Sequence, residues 1–300
     1  MKIKAYFSLV KFSHSIFALP FATIGFILAL YQLQVQQEFQ ELSIWNIVYK
    51  LLLMLLCMVT ARSAAMAFNR WLDRDIDAKN IRTNQREIPK GIISPNAALI
   101  FCIFQSVIFI IATFFINLLC FYLSFVALFV IFFYSYTKRF TWLCHIILGL
   151  GLGLAPIGAY LVLTSSFAVV PILFSVALMF WVSGFDIIYS LQDREFDQKN
   201  YLFSVPALFG LQKAKLIAQI LHFLCICILT FVGFLLPFGI FYFLGLIIFS
   251  CFIIYQYSKI KLQNLSNIDV KYMTLNGWAS LIFGLFVVID ILVKLHFYLI

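Results

Sequence analysis

Apolar runs of membrane-spanning length recur from one end of this 300-residue chain to the other. A bilayer crossing takes about 20 mainly apolar residues, and in lipid only helices and closed barrels satisfy every backbone hydrogen bond. Runs of this length predict helices, and nine candidates follow one another at 15–34, 44–68, 97–116, 118–137, 142–163, 169–189, 214–235, 238–258 and 273–293. The chain is 64% hydrophobic and 11% charged, where soluble domains carry about 25% charged residues. The sequence therefore predicts an all-α integral membrane protein, a bundle of nine transmembrane helices.

Two pairs of these spans are separated only by turn signals. The stretch 97–137 is too long for one crossing and is interrupted by Asn117, and 214–258 is interrupted by Pro237 and Gly239. The first run follows a basic start, as in a secretory signal, but the lack of a small-residue cleavage site and the eight further runs favour an uncleaved first helix. No Ser/Pro-rich linker or low-complexity tract divides the chain, so we expect a single transmembrane domain over residues 1–300.

Basic residues fall almost entirely on one side of this nine-span arrangement. Nineteen of the 21 Lys and Arg residues lie on the side of the N-terminus, and only Lys50 and Lys294 lie opposite. By the positive-inside rule, the N-terminus is cytoplasmic and the C-terminus external, in a cell inner membrane. The net charge of +9 thereby has a topological explanation, and the expected partner is the lipid bilayer, with no nucleic acid.

Two acidic clusters stand at the ends of apolar runs. Asn69, Asp73 and Asp77 are spaced four apart after the second run, and Asp193 and Asp197 repeat the spacing after the sixth. On a helix, residues four apart share a face, and the four crossings between the clusters put both on the cytoplasmic side. An ionised side chain costs about 2.5–3.5 kcal/mol at a helix centre in the bilayer, so cationic partners are expected. Oxygen-only ligand sets of this kind suit Mg2+.

A rim of basic residues surrounds the acidic clusters on the same side. It includes Lys79, Arg82, Arg86, Lys90, Lys138, Arg139 and Lys199. Divalent cations that bridge carboxylates to an anion, with arginines completing its coordination, are typical of diphosphate sites. At the mouth of an apolar bundle, with a cavity facing the cytoplasm, the predicted ligand is an isoprenyl diphosphate. Mg2+ and the basic side chains would stabilise the leaving diphosphate, and a dry cavity would protect the allylic cation from water.

Three regions of the chain resemble the signatures of the UbiA superfamily of membrane prenyltransferases. They are NRWLDRDIDAKNIRTNQREIPKG at 69–91, DIIYSLQDREFD at 186–197 continued by SVPALFG at 204–210, and, between them, YSYTKR at 134–139 followed by Leu148, Gly149 and Pro156. The resemblance implies nine helices and two Mg2+ ions, with catalytic aspartates in both clusters. One ion would be held by Asn69, Asp73 and Asp77, and the other by Asp193 and Asp197. The implied diphosphate contacts are Arg74, Arg82, Arg86, Lys138, Arg139 and Lys199.

The resemblance leaves several acceptors open. The segment KFSHSIFALPFA at 11–22 is similar to a subgroup that prenylates 4-hydroxybenzoate in quinone biosynthesis, some members of which prenylate a different aromatic acid of the futalosine route to menaquinone. Dihydroxynaphthoate and, as in haem farnesylation, haem are further acceptors. The chain departs from the family pattern at Ile81 and Ser135, where Pro is usual, and at Phe196, where an additional Asp is frequent. None of these departures removes an implied magnesium ligand.

Several polar residues near the clusters also have a structural interpretation. Asp186 and Tyr189 share the metal face, where they would contact substrate or form a buried hydrogen bond. Asp75 and Glu195 are expected to be surface acids, since Asp75 lies about 200° around the helix from Asp73. The other basic residues of the interface are interpreted as anchors: Arg194, Lys213, Lys215, Lys259 and Lys261. The four His residues lack metal-ligand spacing, and the seven Cys residues are expected to be free thiols in the bundle.

Two other classes of membrane protein are also rich in acids. Transporters and channels place intramembrane acids near the midplane, whereas here they cluster on one side. CDP-alcohol phosphotransferases depend on magnesium, but their D-G-x-x-A-R element is absent from this chain. The resemblance therefore predicts an aromatic polyprenyltransferase whose partners are a polyprenyl diphosphate, Mg2+ and an aromatic acid, with 4-hydroxybenzoate favoured over the other acceptors. A membrane transporter is the alternative from a different class.

Overall fold

The computed structural model describes residues 2–10, 18–36, 43–260 and 268–299, and every regular element in these ranges is helical. A short 3-10 turn, Leu191–Asp193, joins α8 to α9. The α-helices are α1 (Lys2–Leu9), α2 (Leu19–Val35), α3 (Ile44–Leu72), α4 (Arg74–Lys79), α5 (Pro95–Ile116), α6 (Leu118–Thr137), α7 (Cys144–Thr164), α8 (Val169–Ser190), α9 (Arg194–Lys199), α10 (Val205–Leu235), α11 (Ile240–Lys259) and α12 (Ile268–Leu299). The predicted all-α class is thereby confirmed for the described residues.

Eight helices of the described chain are long and apolar enough to cross a membrane. They are α3, α5, α6, α7, α8 with its extension to Lys199, α10, α11 and α12. A further apolar helix, α2, has 17 residues, which is the lower end of the usual range for a crossing. Each predicted run contains one of these helices, although residues 15–17 of the first run lie outside the described ranges. The chain is thus a multi-pass membrane protein, and a ninth crossing, by α2, stays a prediction.

Polar caps set the beginnings of several long helices. Ser43, Ser94 and Asn117 precede α3, α5 and α6, and each side chain accepts a hydrogen bond from a backbone N–H of the first turn. A cap of this kind contributes about 1 kcal/mol. Asn117 also donates to the carbonyl of Leu161 at 2.8 Å. The turn that the sequence predicts between α5 and α6 is therefore tied to the last turn of α7.

The start of the seventh span differs most from its prediction. The sequence predicts 214–235, whereas α10 begins at Val205, because Ser204 caps it and Pro206 occupies its first turn. Lys213 and Lys215 interrupt the apolar sequence here but do not interrupt the helix. Gly210 has φ 80° and ψ 170°, a conformation that residues with a Cβ rarely adopt, and the helix bends there. The earlier start brings Ser204 next to the second acidic cluster.

Glycines let the central helices pack closely. A Cβ on Gly149 of α7 would lie 2.3 Å from Ser183 Oγ of α8, and one on Gly153 would lie 2.8 Å from an α8 carbonyl oxygen. A Cβ on Gly25 of α2 would lie 2.0 Å from the carbonyl oxygen of Pro156 in α7. Glycines four residues apart are typical of closely packed helix pairs in lipid. They allow α7 to lie against both α2 and α8.

The helices of the bundle pack in a closed ring. α2 packs on α7, α7 on α8, α8 on α10, α10 on α11, α11 on α12, and α12 on α2. α3, α5 and α6 pack on one another and join the ring through α7. Phe174, Trp181 and Phe249 are fully buried, whereas Phe129 and Phe234 are exposed, as lipid-facing residues would be. The seven cysteines are free, as predicted, and five of them are buried.

Candidate active site

Both acidic clusters lie where a long helix gives way to a short one. Asp73 stands between α3 and the six-residue α4, and Asp193 stands between α8 and the six-residue α9. The N–H of Asp77 donates to the carbonyl of Asp73 at 2.7 Å, so helical geometry continues through the first break. We call Asn69, Asp73 and Asp77 the first station, and Asp193 and Asp197 the second station.

The first station is buried and surrounded by cations. Asp73, whose side chain is 2% exposed, accepts a hydrogen bond from Arg139 Nη2 at 2.8 Å and lies 2.9 Å from Lys138 Nζ. Asp77, whose side chain is 5% exposed, has Arg86 Nη1 at 2.7 Å from both carboxylate oxygens. Buried charges are stable only when they are paired, and each of these carboxylates has at least one full positive charge against it.

The second station is paired by a residue from the loop that follows the first. Arg82 Nε donates to Asp193 Oδ1 at 2.9 Å, Nη2 contacts Asp193 Oδ2, and Nη1 donates to Tyr189 Oη at 2.8 Å. Asn80 Nδ2 donates to Asp193 Oδ1 at 3.2 Å. A bidentate guanidinium fixes both the distance and the orientation of its carboxylate. Residues 80–82 therefore hold the two stations together.

Asp197 is held by the cap of the next helix. Ser204 Oγ accepts from the N–H of Ala207 at the start of α10 and donates to Asp197 Oδ2 at 2.8 Å. Asp197 also interacts electrostatically with Asp193 and with Lys138, the partner of the first station. Lys138 is thus within range of both stations, and the four aspartates form one site.

The loop between α4 and α5 is packed firmly in place. Ile88 and Ile93 are buried against Ala64 and Ala67 of α3, in a small core separate from the main one. Gly91, with φ 70°, turns the chain between the two isoleucines. A loop anchored at both of these positions holds its two site arginines against the stations.

Two of the six predicted diphosphate residues lie apart from the cluster. Arg74 donates to the carbonyl of Trp71, lies over the ring of that residue at 5.5 Å, and is 3.9 Å from Asp75 Oδ2. Lys199 is exposed and has no ion pair within the described chain. Asp75 has a side chain that is 83% exposed, so its interpretation as a surface acid is confirmed. The structure brings together the other four basic residues: Arg82, Arg86, Lys138 and Arg139.

Asp186 has a buried partner that the sequence does not single out. His145 Nδ1 lies 2.7 Å from Asp186 Oδ2, and His145 Nε2 accepts from the N–H of Val205 at 3.3 Å. A search for metal-ligand spacing misses a histidine that pairs with a carboxylate 41 residues away. The contact depends on how α7 packs on α8, for which the sequence carries no local signal.

A second unpredicted feature is Arg62 of α3, a half-buried arginine. Arg62 precedes Asn69 by seven residues, so it lies on the same face of α3, two turns nearer the N-terminus of the helix. Its Nε is buried and has no hydrogen-bond partner among the described residues. Tyr134 of α6 interacts electrostatically with Arg62 and also with Asp73 and Asp186. The seven-residue spacing is the signal that distinguishes Arg62 from the basic residues that only set topology.

The stations have the ligand chemistry of a magnesium site. Four carboxylates and the amide of Asn69 supply oxygen atoms, without thiolate or imidazole. Within the described ranges, no three acidic, His or Cys side chains converge as an all-protein metal site requires. Mg2+ ordinarily takes one or two carboxylates and completes its shell with water and substrate phosphates. The donor set therefore fits Mg2+ bound jointly by protein and a phosphate ligand.

The bundle is apolar and helical, and one site in it combines carboxylates with arginines and lysines. This combination is typical of membrane proteins whose ligand has an anionic head group and a hydrophobic tail. A model of the UbiA prenyltransferase family matches residues 18–278. The chain therefore belongs to that family and is an aromatic prenyltransferase.

Individual relatives agree with this assignment. The chain is 31% identical, over 79% of its length and 81% of the relative's, to a 4-hydroxybenzoate octaprenyltransferase of Francisella tularensis subsp. tularensis. The apo structure of a UbiA homologue from Aeropyrum pernix K1 is similar with a TM-score of 0.79 at 26% identity, covering 93% of this chain and 98% of that one. A UbiA homologue from Archaeoglobus fulgidus bound to GPP and Mg2+ has the same fold, with a TM-score of 0.70 at 22% identity and coverage of 96% and 99%.

Proposed function

We propose that this protein transfers a polyprenyl group from a polyprenyl diphosphate to an aromatic acid, 4-hydroxybenzoate, in a reaction that depends on Mg2+. The observation that carries the proposal is the convergence of two aspartate pairs and four cationic side chains beside apolar helices. Such a site matches both halves of the donor, its anionic head and its hydrophobic tail.

The two stations are proposed as the metal ligands. Asn69, Asp73 and Asp77 would hold one Mg2+ ion, and Asp193 and Asp197 a second. When bound, the ions neutralise the diphosphate and so make it a better leaving group. The Archaeoglobus fulgidus homologue bound to GPP and Mg2+ supports both the metal and the class of donor.

The basic side chains of the site are proposed to bind the diphosphate oxygens. Arg82, Arg86, Lys138 and Arg139 pair with the aspartates, yet their side chains are 20–31% exposed and are accessible to a ligand. They stabilise the negative charge that develops as the allylic carbon–oxygen bond breaks. The surrounding Phe, Leu and Ile side chains exclude water from the carbon that is left positive. Arg74 and Lys199 remain predicted contacts at the edge of the same ligand.

Arg62 supports an acid as the acceptor. Its guanidinium lies within a membrane span, where a cation without an anionic partner is costly, and its Nε has no partner among the described residues. The carboxylate of an aromatic acid would supply the missing partner. Seven helical residues separate Arg62 from Asn69, a rise of about 10 Å, which leaves room for one aromatic ring between them. The 4-hydroxybenzoate octaprenyltransferase of Francisella supports this acceptor.

The site is proposed to face the cytoplasm of a cell whose inner membrane holds the protein. The asymmetry of Lys and Arg supports this orientation. In a variant whose native cysteines are replaced, a single cysteine at exposed Lys199 should resist an impermeant thiol reagent in intact cells, whereas one at exposed Ser166, on the opposite side of the predicted topology, should react. Labelling at position 199 from outside would overturn the orientation.

The reaction is tested with purified protein in lipid, Mg2+ and a polyprenyl diphosphate. We expect 4-hydroxybenzoate to be prenylated at the carbon ortho to its hydroxyl group, with release of diphosphate, because the phenol activates that carbon. Parallel assays contain dihydroxynaphthoate or the aromatic acid of the futalosine route. If only one of these acids gives a product, that acid is the acceptor in place of 4-hydroxybenzoate, and the prenyl-transfer reaction stands. If the folded protein turns over none of the donors with any of the acceptors, the result would favour a transporter.

A further inference from the structure

A buried histidine lies between three helices at the edge of the site. His145 is the second residue of α7, and its ring connects α8 and α10 through Asp186 and the backbone of Val205. The amide N–H of Val205 can only donate, so His145 Nε2 must be the ring atom that accepts. The ring hydrogen then resides on Nδ1, which donates to Asp186 Oδ2 at 2.7 Å. The backbone of α10 thus selects the tautomer that binds the carboxylate.

Asp186 is placed to meet a ligand as well as the histidine. It precedes Asp193 by seven residues along α8 and its extension, so it lies two turns from the second station on nearly the same face. Its side chain is 22% exposed, in contrast to the 4% of His145. Tyr134 of α6 and Tyr272 of α12 lie within electrostatic range of it. One carboxylate oxygen, Oδ2, is bonded to His145, and the side chain as a whole stays partly exposed.

We propose that His145 is a positioning residue that aims Asp186 at the hydroxyl group of the aromatic acceptor. This inference rests on the proposed function and assigns a role that the stations themselves do not fill. A carboxylate fixed by a neutral imidazole keeps its negative charge and cannot rotate away, so it accepts the hydrogen of a phenol in one defined direction. The hydroxyl group then donates electron density to the ortho carbon.

The protons and electrons of the proposed prenyl transfer balance. The carbon–oxygen bond of the donor breaks and its electron pair leaves with the diphosphate; the ring's electron pair then forms the new carbon–carbon bond to the allylic cation. Asp186 takes the hydroxyl proton in the same step, so that the ring becomes a neutral dienone. The ring hydrogen at the new bond is then lost as a proton to the released diphosphate, and Asp186 returns its proton to the oxygen. One proton is released for each prenyl group transferred.

A second buried histidine provides a matched control. His222 also bridges two neighbouring elements: its Nε2 is 3.1 Å from the carbonyl oxygen of Trp181, and its Nδ1 accepts from Tyr257 Oη at 2.8 Å. Within the described ranges, His222 has no hydrogen bond to a carboxylate. Loss of either ring removes two hydrogen bonds from the bundle, but only His145 is bonded to an acid near the stations.

The test compares His145→Leu, His145→Gln, Asp186→Asn and His222→Leu in the full-length protein in lipid. Two rates are measured with Mg2+ and a polyprenyl diphosphate: transfer to 4-hydroxybenzoate, and hydrolysis of the donor without an acceptor. We expect the ratio of transfer to hydrolysis to fall about 100-fold in His145→Leu and Asp186→Asn, through kcat. Gln both donates and accepts, so His145→Gln should recover transfer to within about fivefold of wild type. His222→Leu should leave the ratio unchanged.

Each alternative outcome has a definite meaning. If His145→Gln is as impaired as His145→Leu, or if transfer and hydrolysis fall together in Asp186→Asn, the pair does not act on the acceptor and the proposal is overturned. If His222→Leu changes the ratio equally, the effect is one of packing. If His145→Leu does not fold, Asp186→Asn decides, because Asn can still accept from His145. Failure of the wild type to prenylate any acid removes the proposed function, whereas normal transfer by Asp186→Asn removes this inference alone.

Discussion

The two stations carry the same residue spacing but differ in how the protein holds them. In the first station Asp73 and Asp77 are almost completely buried. Their cations come from the loop after α4, from the end of α6 and from Arg70 of α3. In the second, Asp193 is 17% exposed and is held by Arg82 and Asn80 of the loop, while Asp197 is held by a helix cap. Equal spacing in the sequence therefore does not mean equal environment.

This difference separates stability from chemistry. Carboxylates that are fully buried among cations are part of the fold, since removal of one charge leaves the others unpaired in a medium of low dielectric constant. Carboxylates that are partly exposed can lose a partner to solvent at a smaller cost. Both stations should be required for turnover, but only the first should also be required for a stable bundle.

The largest predicted effect is that of replacing the central aspartate of each station. Asp73→Asn and Asp193→Asn should each lower the rate of prenyl transfer about 100-fold or more, because each removes charge stabilisation from the leaving diphosphate. Asp73→Asn should also destabilise the folded protein by about 3 kcal/mol, since Lys138 and Arg139 lose their shared anion. Asp193→Asn should cost about 1 kcal/mol. Thermal unfolding in detergent measures the difference, and equal losses of stability would contradict the comparison.

Arg82→Lys should have the next largest effect. Lysine keeps the charge, but a single ammonium group cannot bind both oxygens of Asp193 and the hydroxyl of Tyr189 together. We expect prenyl transfer to fall about 10- to 100-fold. Arg74→Lys is the matched control: Arg74 contacts Trp71 and Asp75 instead of a station, and the charge of its predicted edge contact is kept, so the rate should change by less than about threefold. Equal losses in the two variants would mean that the loop does not organise the second station.

The spans and the acidic spacing are predictable from sequence because they are local. Apolar runs of about 20 residues and acids four apart depend only on the chain's own periodicity. The sequence also places Arg82 and Arg86 in the right loop, but it does not reveal that Arg86 turns back to Asp77 while Arg82 crosses to Asp193. Those choices depend on how the loop packs through Ile88 against α3.

Other parts of the site depend on contacts between distant segments. His145 meets Asp186 only because α7 and α8 pack closely along the face that contains Gly149. Ser204 reaches Asp197 because α10 begins nine residues before the predicted start, so that Lys213, which precedes the predicted run, lies inside the helix. Hydropathy detects only the residues that are buried in lipid, so it does not detect helical turns that lie outside the lipid. This is why the predicted span omitted the cap.

Ser204→Ala tests the weaker support of the second station. The variant removes the cap of α10 and the hydrogen bond to Asp197 Oδ2. We expect a loss of stability of about 1 kcal/mol and a threefold to tenfold lower rate, about the contribution of a single hydrogen bond. Ser94→Ala, which removes the cap of α5 far from the aspartates, should lower stability by a similar amount with no change in rate. If the rate of Ser94→Ala falls as much as that of Ser204→Ala, the cap at Ser204 affects the rate only through the stability of the fold.

Asp75→Ala should have the smallest effect. The side chain is 83% exposed and its contact with Arg74 is long, at 3.9 Å. Exposed pairs of this kind contribute about 0–1 kcal/mol. We expect both stability and rate to stay close to wild type. A loss of activity comparable with that of Asp73→Asn would mean that a third acid belongs to the first station.

The most direct measurement is the affinity for a non-hydrolysable polyprenyl diphosphate analogue, determined with and without Mg2+ in wild type, Asp73→Asn and Asp193→Asn. We expect removal of Mg2+ to weaken binding at least about 100-fold in the wild type, and each variant to lose most of this dependence on Mg2+. Tight binding without Mg2+, unchanged in both variants, would mean that the arginines and lysines hold the diphosphate alone. It would contradict the assignment of the aspartates as metal ligands.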